Sequence, residues 1–203
     1  MSGTARTELL PALGRTAVPW KNGGGVTREI IAYPSAASLD NFDWRVSTAE
    51  VRVAGAFSVF AGVERTLCVL EGRLALAIQG RTPSILVPDS APFAFAGDLE
   101  VHADPGSAPV VDLNVMTRRG HFVAAVKRLG FSGSLRRDSA ATMTLLFALT
   151  SLRVEVGAES STLSRHDALR LREGTPCTLV APEARAECYV IEIAALAFGA
   201  GRT

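Results

Sequence analysis

The stretch Pro19-Trp20-Lys21-Asn22-Gly23-Gly24-Gly25-Val26-Thr27-Arg28-Glu29 gathers an aromatic ring, two cations, an amide, a carboxylate and three successive glycines. A core strand has no use for such a run. Glycine packs no side chain and loses the most backbone entropy on folding, so consecutive glycines mark unusual dihedrals or the close approach of another group. The polar types on either side are those that grip anions and amides, which predicts a binding loop. A tight, charged corner explains the same residues without a ligand.

Other residues extend that chemistry. Arginine holds a carboxylate through two parallel hydrogen bonds, which makes Arg65 the natural grip for a small organic acid, with Glu64 beside it and Lys21 adding a point charge. Asn22 and Asn114 each donate and accept, which suits an amide or formyl group. Trp20, Phe57 and Phe60 supply an apolar wall. Asp112 and Asn114 sit two apart in a strand pattern, so both side chains point into one space. Asp112 also reads plainly as a partner that orients an arginine. Arg28, Arg45 and Glu29 read as ion pairs between strands.

No residue is assigned a catalytic role. NGGG runs into a strand pattern and lacks the continuation of a P-loop, and there is no G-x-S-x-G. Ser47, His121 and Asp112 can be drawn as a triad, but nothing in the sequence supports that geometry. An acid/base enzyme using Lys21, Glu29 or Glu64 is the alternative to a binding protein. Glu64 paired with Arg65 would be a stronger acid, which favours binding over proton transfer.

Three histidines, His102, His121 and His166, are scattered without metal-ligand spacing. Three cysteines, Cys68, Cys177 and Cys188, form no CxxC pair, which indicates a reducing compartment and no disulfide framework. Cys68 lies in an apolar strand pattern and reads as a small buried hydrophobe. The first twenty residues carry Arg6, Glu8 and Arg15, unlike a signal peptide, and no apolar run is long enough to span a membrane. The net charge of +1 predicts neither nucleic-acid nor membrane binding. The basic residues Arg118, Arg119, Lys127, Arg128, Arg136 and Arg137 have no interleaved aromatic platform and read as solvated loops.

The elements that must position these groups are strands. With 203 residues, 48% of them hydrophobic, the chain has ample core. VTREIIAY is β-rich and ends at Pro34. In FDWRVSTAEV, Phe42, Trp44, Val46 and Thr48 share one face, while Asp43, Arg45, Ser47 and Ala49 share the other, which meets either solvent or a wet cavity. Glu64–Leu70 and Arg73–Ile78, joined by Glu71-Gly72, read as a hairpin. Residues 1–14 read as a loose arm in which Leu9, Leu10 and Leu13 form a helical turn. Many short strands without a long helical period mean an all-β barrel or sandwich. A weak internal echo relates LCVLEGRLALAI and ILVPDSAPFAF to LFALTSLRVEV and DALRLREGTPCTLVAP, which suggests two similar β units.

PWKNGGGVTREI, FDWRVSTAEV, FSVFAGVERTLCVLEG and VDLNVMTRRG occur in that order over more than half the chain, and together they resemble the HutD/Ves family. The resemblance implies a bicupin: two cupin-like antiparallel β-barrels in one chain, drawn here as 1–118 and 119–203. It also implies a cytoplasmic bacterial protein tied to histidine utilisation, or to stress response in the Ves branch. The implied role is to bind an acidic intermediate, such as formylglutamate or urocanate, in a regulatory or buffering capacity. Metal-binding cupins use His-x-His, a Glu and a later His. AGVERTLCVLEG and PDSAPFAFAGD contain no histidine, and the second unit offers only His166, so no metal or other cofactor is expected. An exposed sheet edge invites pairing with a second copy, so a homodimer is one expectation, although two units in one chain would meet the same need.

Overall fold

The structure, a computed structural model, describes residues 6–196. Every regular element among them is a β-strand. In chain order β1 is Thr7–Leu10, β2 Ala17–Pro19, β3 Gly25–Tyr33, β4 Trp44–Val51, β5 Gly55–Ala56 and β6 Val63–Glu71. β7 Leu74–Ile78, β8 Ser84–Leu86, β9 Phe93–Ala96, β10 Val101–Asp104 and β11 Val110–Arg118 follow. Then come β12 Phe122–Phe131, β13 Ser134–Arg137, β14 Met143–Ala148 and β15 Leu152–Val156. The last are β16 Glu159–Leu163, β17 Ala168–Arg172, β18 Cys177–Val180 and β19 Ala186–Ala195. No helix among the described residues is long and apolar enough to cross a membrane.

The chain divides into two compact units. One is Arg15–Phe122; the other joins the chain after Phe122 to the segment before Arg15. In the first, a 6-stranded sheet runs β2-β3-β4-β11-β6-β9 and a 4-stranded sheet runs β5-β10-β7-β8. One apolar cluster takes Val51, Leu67, Val69, Phe95 and Val110 from the larger sheet and Leu74, Leu76, Ile78, Leu86, Val101 and Ala103 from the smaller, so the two sheets face each other across a single core. The second unit does the same with a 5-stranded sheet, β1-β17-β14-β19-β12, and a 4-stranded sheet, β13-β18-β15-β16. Its core joins Leu146, Leu169, Leu171, Cys188 and Val190 to Leu152, Val154, Leu163 and Leu179. The sheets are open runs with two edge strands, not closed barrels.

The two units repeat one strand order. β4-β11-β6-β9 over β5-β10-β7-β8 becomes β12-β19-β14-β17 over β13-β18-β15-β16 when every label is shifted by a constant. The echo between LCVLEGRLALAI and LFALTSLRVEV therefore marks equivalent strands, β6-β7 and β14-β15. The Leu-Val-Pro match does not, because β8 corresponds to β16 and not to β18.

Two expectations fail on pairing. The Glu71-Gly72 turn makes no hairpin: β6 pairs with β11 and β9, while β7 pairs with β10 and β8, so the turn carries the chain from one sheet to the other. Gly72 has φ +86, and a Cβ there would lie 3.0 Å from Val110 Cγ2 and 3.1 Å from the Pro109 carbonyl. The arm holding Leu9 and Leu10 is extended, not helical. β1 pairs with β17 from Thr7↔Leu171 to Leu10↔Ala168, and the Ala12 amide donates to Asp167 Oδ1 at 2.7 Å. The backbone groups that a helical turn would have satisfied locally are satisfied by a strand distant in sequence. This places β1 outside the first unit, unlike the division drawn at residue 118.

Candidate functional site

The register of the 6-stranded sheet decides which side chains point inward. Arg65 lies opposite Met116 on β11 and Phe95 on β9; Asn114 lies opposite Leu67; Asp112 lies opposite Val69. On β4, Ser47 faces Asn114 and Ala49 faces Asp112. Leu67 and Val69 belong to the shared core, so every residue in register with them is on the core side. The polar face of FDWRVSTAEV is thus the inner one. Ser47, Arg65, Asp112 and Asn114 are all buried there.

Arg65 is only 4% exposed. Its guanidinium carbon stands 5.2 Å from the Phe57 ring centroid, 5.7 Å from Phe60 and 5.0 Å from Phe95. The rings attract the cation without accepting its protons in conventional hydrogen bonds. One long bond, from Nη1 to the Ser58 carbonyl at 3.4 Å, is made, and Nε has no partner among the described residues. Burial lowers the pKa of this guanidinium to about 10, and the charge of Asp112 opposes the shift. The group remains a cation at neutral pH.

Asp112 is 1% exposed, with Oδ1 unpartnered. Burial pushes its carboxyl up to about 7, opposed by the charge of Arg65. Asn114 beside it has an unpartnered Oδ1. Each such atom costs roughly 1–3 kcal/mol when left unsatisfied. One donor and two acceptors, all buried and without a protein partner, share one face, where a small polar guest or ordered water would satisfy them.

The architecture does not demand these residues. In the repeated unit the same register pairs Cys188 with Ala148 and Val190 with Leu146, where the first unit pairs Asp112 with Val69 and Asn114 with Leu67. Thr144, on the strand equivalent to that of Arg65, donates to Ser139 Oγ at 3.0 Å. One chain therefore builds this strand order twice, once around an apolar interior and once around a guanidinium, a carboxyl and an amide.

The residues singled out from sequence divide into two groups. Arg65, Phe57, Phe60 and Asn114 lie on or against this inner face. Trp20 backs it: its ring meets Phe57 edge-on at 5.9 Å, and its Nε1 donates to Thr27 Oγ1 at 2.8 Å. Lys21 and Asn22 are exposed, and the Asn22 Oδ1 accepts from the Gly24 amide at 3.0 Å. The glycine run is the turn of the β2–β3 pair, closed by bonds between Trp20 and Gly23 and between Trp20 and Gly25 at 3.0 Å. At Gly25 a Cβ would lie 2.4 Å from the Glu50 carbonyl and 3.2 Å from the Trp20 ring, so the glycine lets the indole lie against the sheet. Glu64 does not join Arg65. Neighbours in a strand face opposite sides, and Glu64 reaches Arg119 at 3.7 Å. Arg45 Nε donates to Glu29 Oε2 at 2.7 Å, and Arg28 approaches Glu50 at 3.8 Å.

Phe95 is not singled out by the sequence, and Asp112 is read there as sharing one space with Asn114 and as an orienting partner for an arginine, not as a ligand contact. The alternation Phe93-Ala94-Phe95-Ala96 carries the signal for the first, since it puts both rings on one face. Metal ligation does not fit this site. Its donors are an amide, a hydroxyl and one carboxyl beside a fixed cation, with no imidazole or thiolate. Among the described residues no three His, Cys, Asp or Glu side chains converge.

A family model named HutD matches residues 14–189. An uncharacterized 21.2 kDa protein in the hutC 3' region of Pseudomonas putida is 37% identical over 171 residues, 82% of this chain and 87% of that one. Protein Ves of Citrobacter koseri is 39% identical over 109 residues, 53% of this chain and 56% of its own length. The solved structure of HutD from Pseudomonas fluorescens SBW25, in a formate condition, matches with a TM-score of 0.80 at 30% identity, covering 94% of this chain and 99% of that one. A cupin 2 conserved barrel domain protein from Leptotrichia buccalis matches with a TM-score of 0.59 at 9% identity, covering 91% and 99%, a likeness of fold alone. With cupin-like neighbours in fold and a family match across most of its length, this chain belongs to the HutD family.

Proposed function

We propose that the interior of the Arg15–Phe122 unit binds a small organic acid, and that the chain acts as a cytoplasmic binder in a regulatory or buffering role. We read the two units as a bicupin, a reading supported by the repeated strand order. Formylglutamate- and urocanate-like acids are the candidate ligands, in histidine utilisation or, as the similarity to Ves suggests, in stress response. The name of the Pseudomonas putida relative, which sits beside hutC, supports the former. One observation carries the reading: a buried, unpartnered Arg65 Nε framed by three phenylalanine rings, beside the unpartnered oxygens of Asp112 and Asn114. An anion accepting from Arg65 would satisfy what the protein leaves unsatisfied.

Thermal unfolding with N-formylglutamate, urocanate, glutamate and formate tests this. A ligand at a hundred times its Kd stabilises by about 2.7 kcal/mol through mass action. A rise in Tm in the parent chain, absent in Arg65→Ala, is the expected result. No rise with any of these acids at millimolar concentration would overturn the reading.

A second reading, acid/base catalysis on a small carboxylate, rests on Asp112. Of the groups named for that role from sequence, Lys21 is exposed, Glu29 pairs with Arg45 and Glu64 pairs with Arg119. Asp112 alone is buried and titrates near neutral pH. Consumption of urocanate or formylglutamate by the purified chain, abolished in Asp112→Asn, would favour it over simple binding.

A further inference from the structure

We propose that Asp112 is the second half of the acid grip: it takes up one proton from solvent as an anion enters beside Arg65, and its O–H then donates to the ligand carboxylate. The inference rests on the acid-binding reading above and assigns the residue that determines which charge state the site accepts.

Charge balance on a buried face decides what can enter. Facing Asp112 from β4 are Ala49, Ser47 and, further along, Arg45; from β6 come Val69, Leu67 and Arg65. Beyond β4, the β3 residues in register are Thr27 and Glu29. The opposite sheet contributes Leu74, Leu76, Ile78, Val101 and Ala103, none of which is charged. Arg45 and Glu29 neutralise each other at 2.7 Å. That leaves one cation, Arg65, for Asp112 and any entering carboxylate together.

Two carboxylates cannot both be ionised beside a single buried guanidinium without leaving a net negative charge in the core, and one of them holds a proton instead. Asp112 is the one suited to hold it. It is buried, its Oδ1 has no partner, and burial already raises its proton affinity before any anion arrives. A free organic acid, with an ordinary carboxyl pKa, enters as the anion. The balance is simple: one anion and one proton enter, no bond to carbon changes, and Arg65 keeps its charge.

Such a site prefers an acid over an amide or ester of the same shape, because the bonds from the Arg65 Nε–H and the Asp112 O–H are stronger to an ionised acceptor, and because the anion neutralises Arg65. It also disfavours cations, which Arg65 repels.

Calorimetric titration of the full chain with two monocarboxylates, formate and acetate, in buffers of different ionisation enthalpy between about pH 6 and about pH 9, counts the protons taken up on binding. Neither probe titrates in that range, so uptake reports on the protein. Uptake rising towards one proton is expected, with affinity falling about tenfold per pH unit above the pKa of Asp112 in the free chain. Asp112→Asn, whose amide N–H replaces the O–H, is expected to bind with no proton uptake and with an affinity that does not vary with pH. Binding without uptake in the parent chain would overturn the role of Asp112 while leaving the acid-binding reading intact. Proton uptake that persists in Asp112→Asn would do the same. Failure of both probes to bind at any pH would overturn both. Should Asp112→Asn fail to fold, the proton count in the parent chain decides alone.

Discussion

Arg65 and Phe95 are direct partners across the β6–β9 pair, and the guanidinium carbon of one lies 5.0 Å from the ring centroid of the other. The contact holds a cation inside the core while using none of the guanidinium's hydrogen bonds in the ordinary way. A salt bridge at that position would have consumed them. The arrangement leaves Arg65 Nε without a partner among the described residues.

Replacing Arg65 by methionine tests its role. Methionine keeps the unbranched stem and loses the guanidinium with its charge, and exchanging a buried ion pair for apolar groups is often neutral or stabilising by about 1–4 kcal/mol, which applies here once Asp112 is itself protonated. At about pH 6, where Asp112 is mostly neutral, the ligand-free Arg65→Met chain is expected to melt no lower than the parent and to show no rise in Tm with N-formylglutamate. A lower Tm with an intact ligand response would assign Arg65 to structure instead.

The pH dependence of stability follows from Asp112. Its carboxyl is raised to about 7 in the folded chain, from an ordinary value of about 3.9 when unfolded. The folded state therefore binds more protons between those values. The contribution is fully present below the unfolded pKa and is lost as pH rises through the folded one. Denaturant titrations of the ligand-free chain should show this loss across that window, and Asp112→Asn should flatten it. An unchanged profile in the variant would place the titration on another group.

Gly25→Ala is expected to destabilise by about 3 kcal/mol, because the new Cβ would meet the Glu50 carbonyl at 2.4 Å and the Trp20 ring at 3.2 Å. The displaced indole would press on Phe57, and through it on Arg65, so ligand response should weaken along with Tm. A neutral effect on both would mean that the β2–β3 turn yields easily.

Lys21→Ala and Asn22→Ala separate the glycine turn from the inner face around Arg65. Lys21 is exposed, and the Asn22 amide is engaged by the turn itself. Lys21→Ala should leave stability within about 0.5 kcal/mol and ligand affinity near that of the parent, while Asn22→Ala lowers stability by about 1 kcal/mol for the lost bond. A large loss of affinity in Lys21→Ala would restore that ammonium as a ligand contact.

Local pattern made much of this legible from the residues. Alternation in FDWRVSTAEV assigns Arg45, Ser47 and Ala49 to one face, and the spacing of Asp112 and Asn114 puts both on one side of β11. Sheet membership is not local, and there the reading failed. A tight turn at Gly72 looks the same whether the strands it joins pair with each other or cross to opposite sheets. Glu64 and Arg65 look like partners on paper, yet the pleat that sends Arg65 inward sends Glu64 out to Arg119. The glycine run announced something unusual, and its cause is a crowded indole and carbonyl at Gly25, which no rule of spacing reveals.

β1 has a further consequence, for the order in which the protein is made. Its Glu8 meets Arg170, 162 positions further along the chain. All the strands of the 6-stranded sheet, by contrast, lie between Ala17 and Arg118. On the ribosome the Arg15–Phe122 unit has its full set of strands while the rest is still being translated, and β1 has no strand to pair with until β17 emerges. β1 is thus translated well before the strand it pairs with. Until then it is an unpaired strand edge, the kind of segment that makes folding intermediates prone to aggregate.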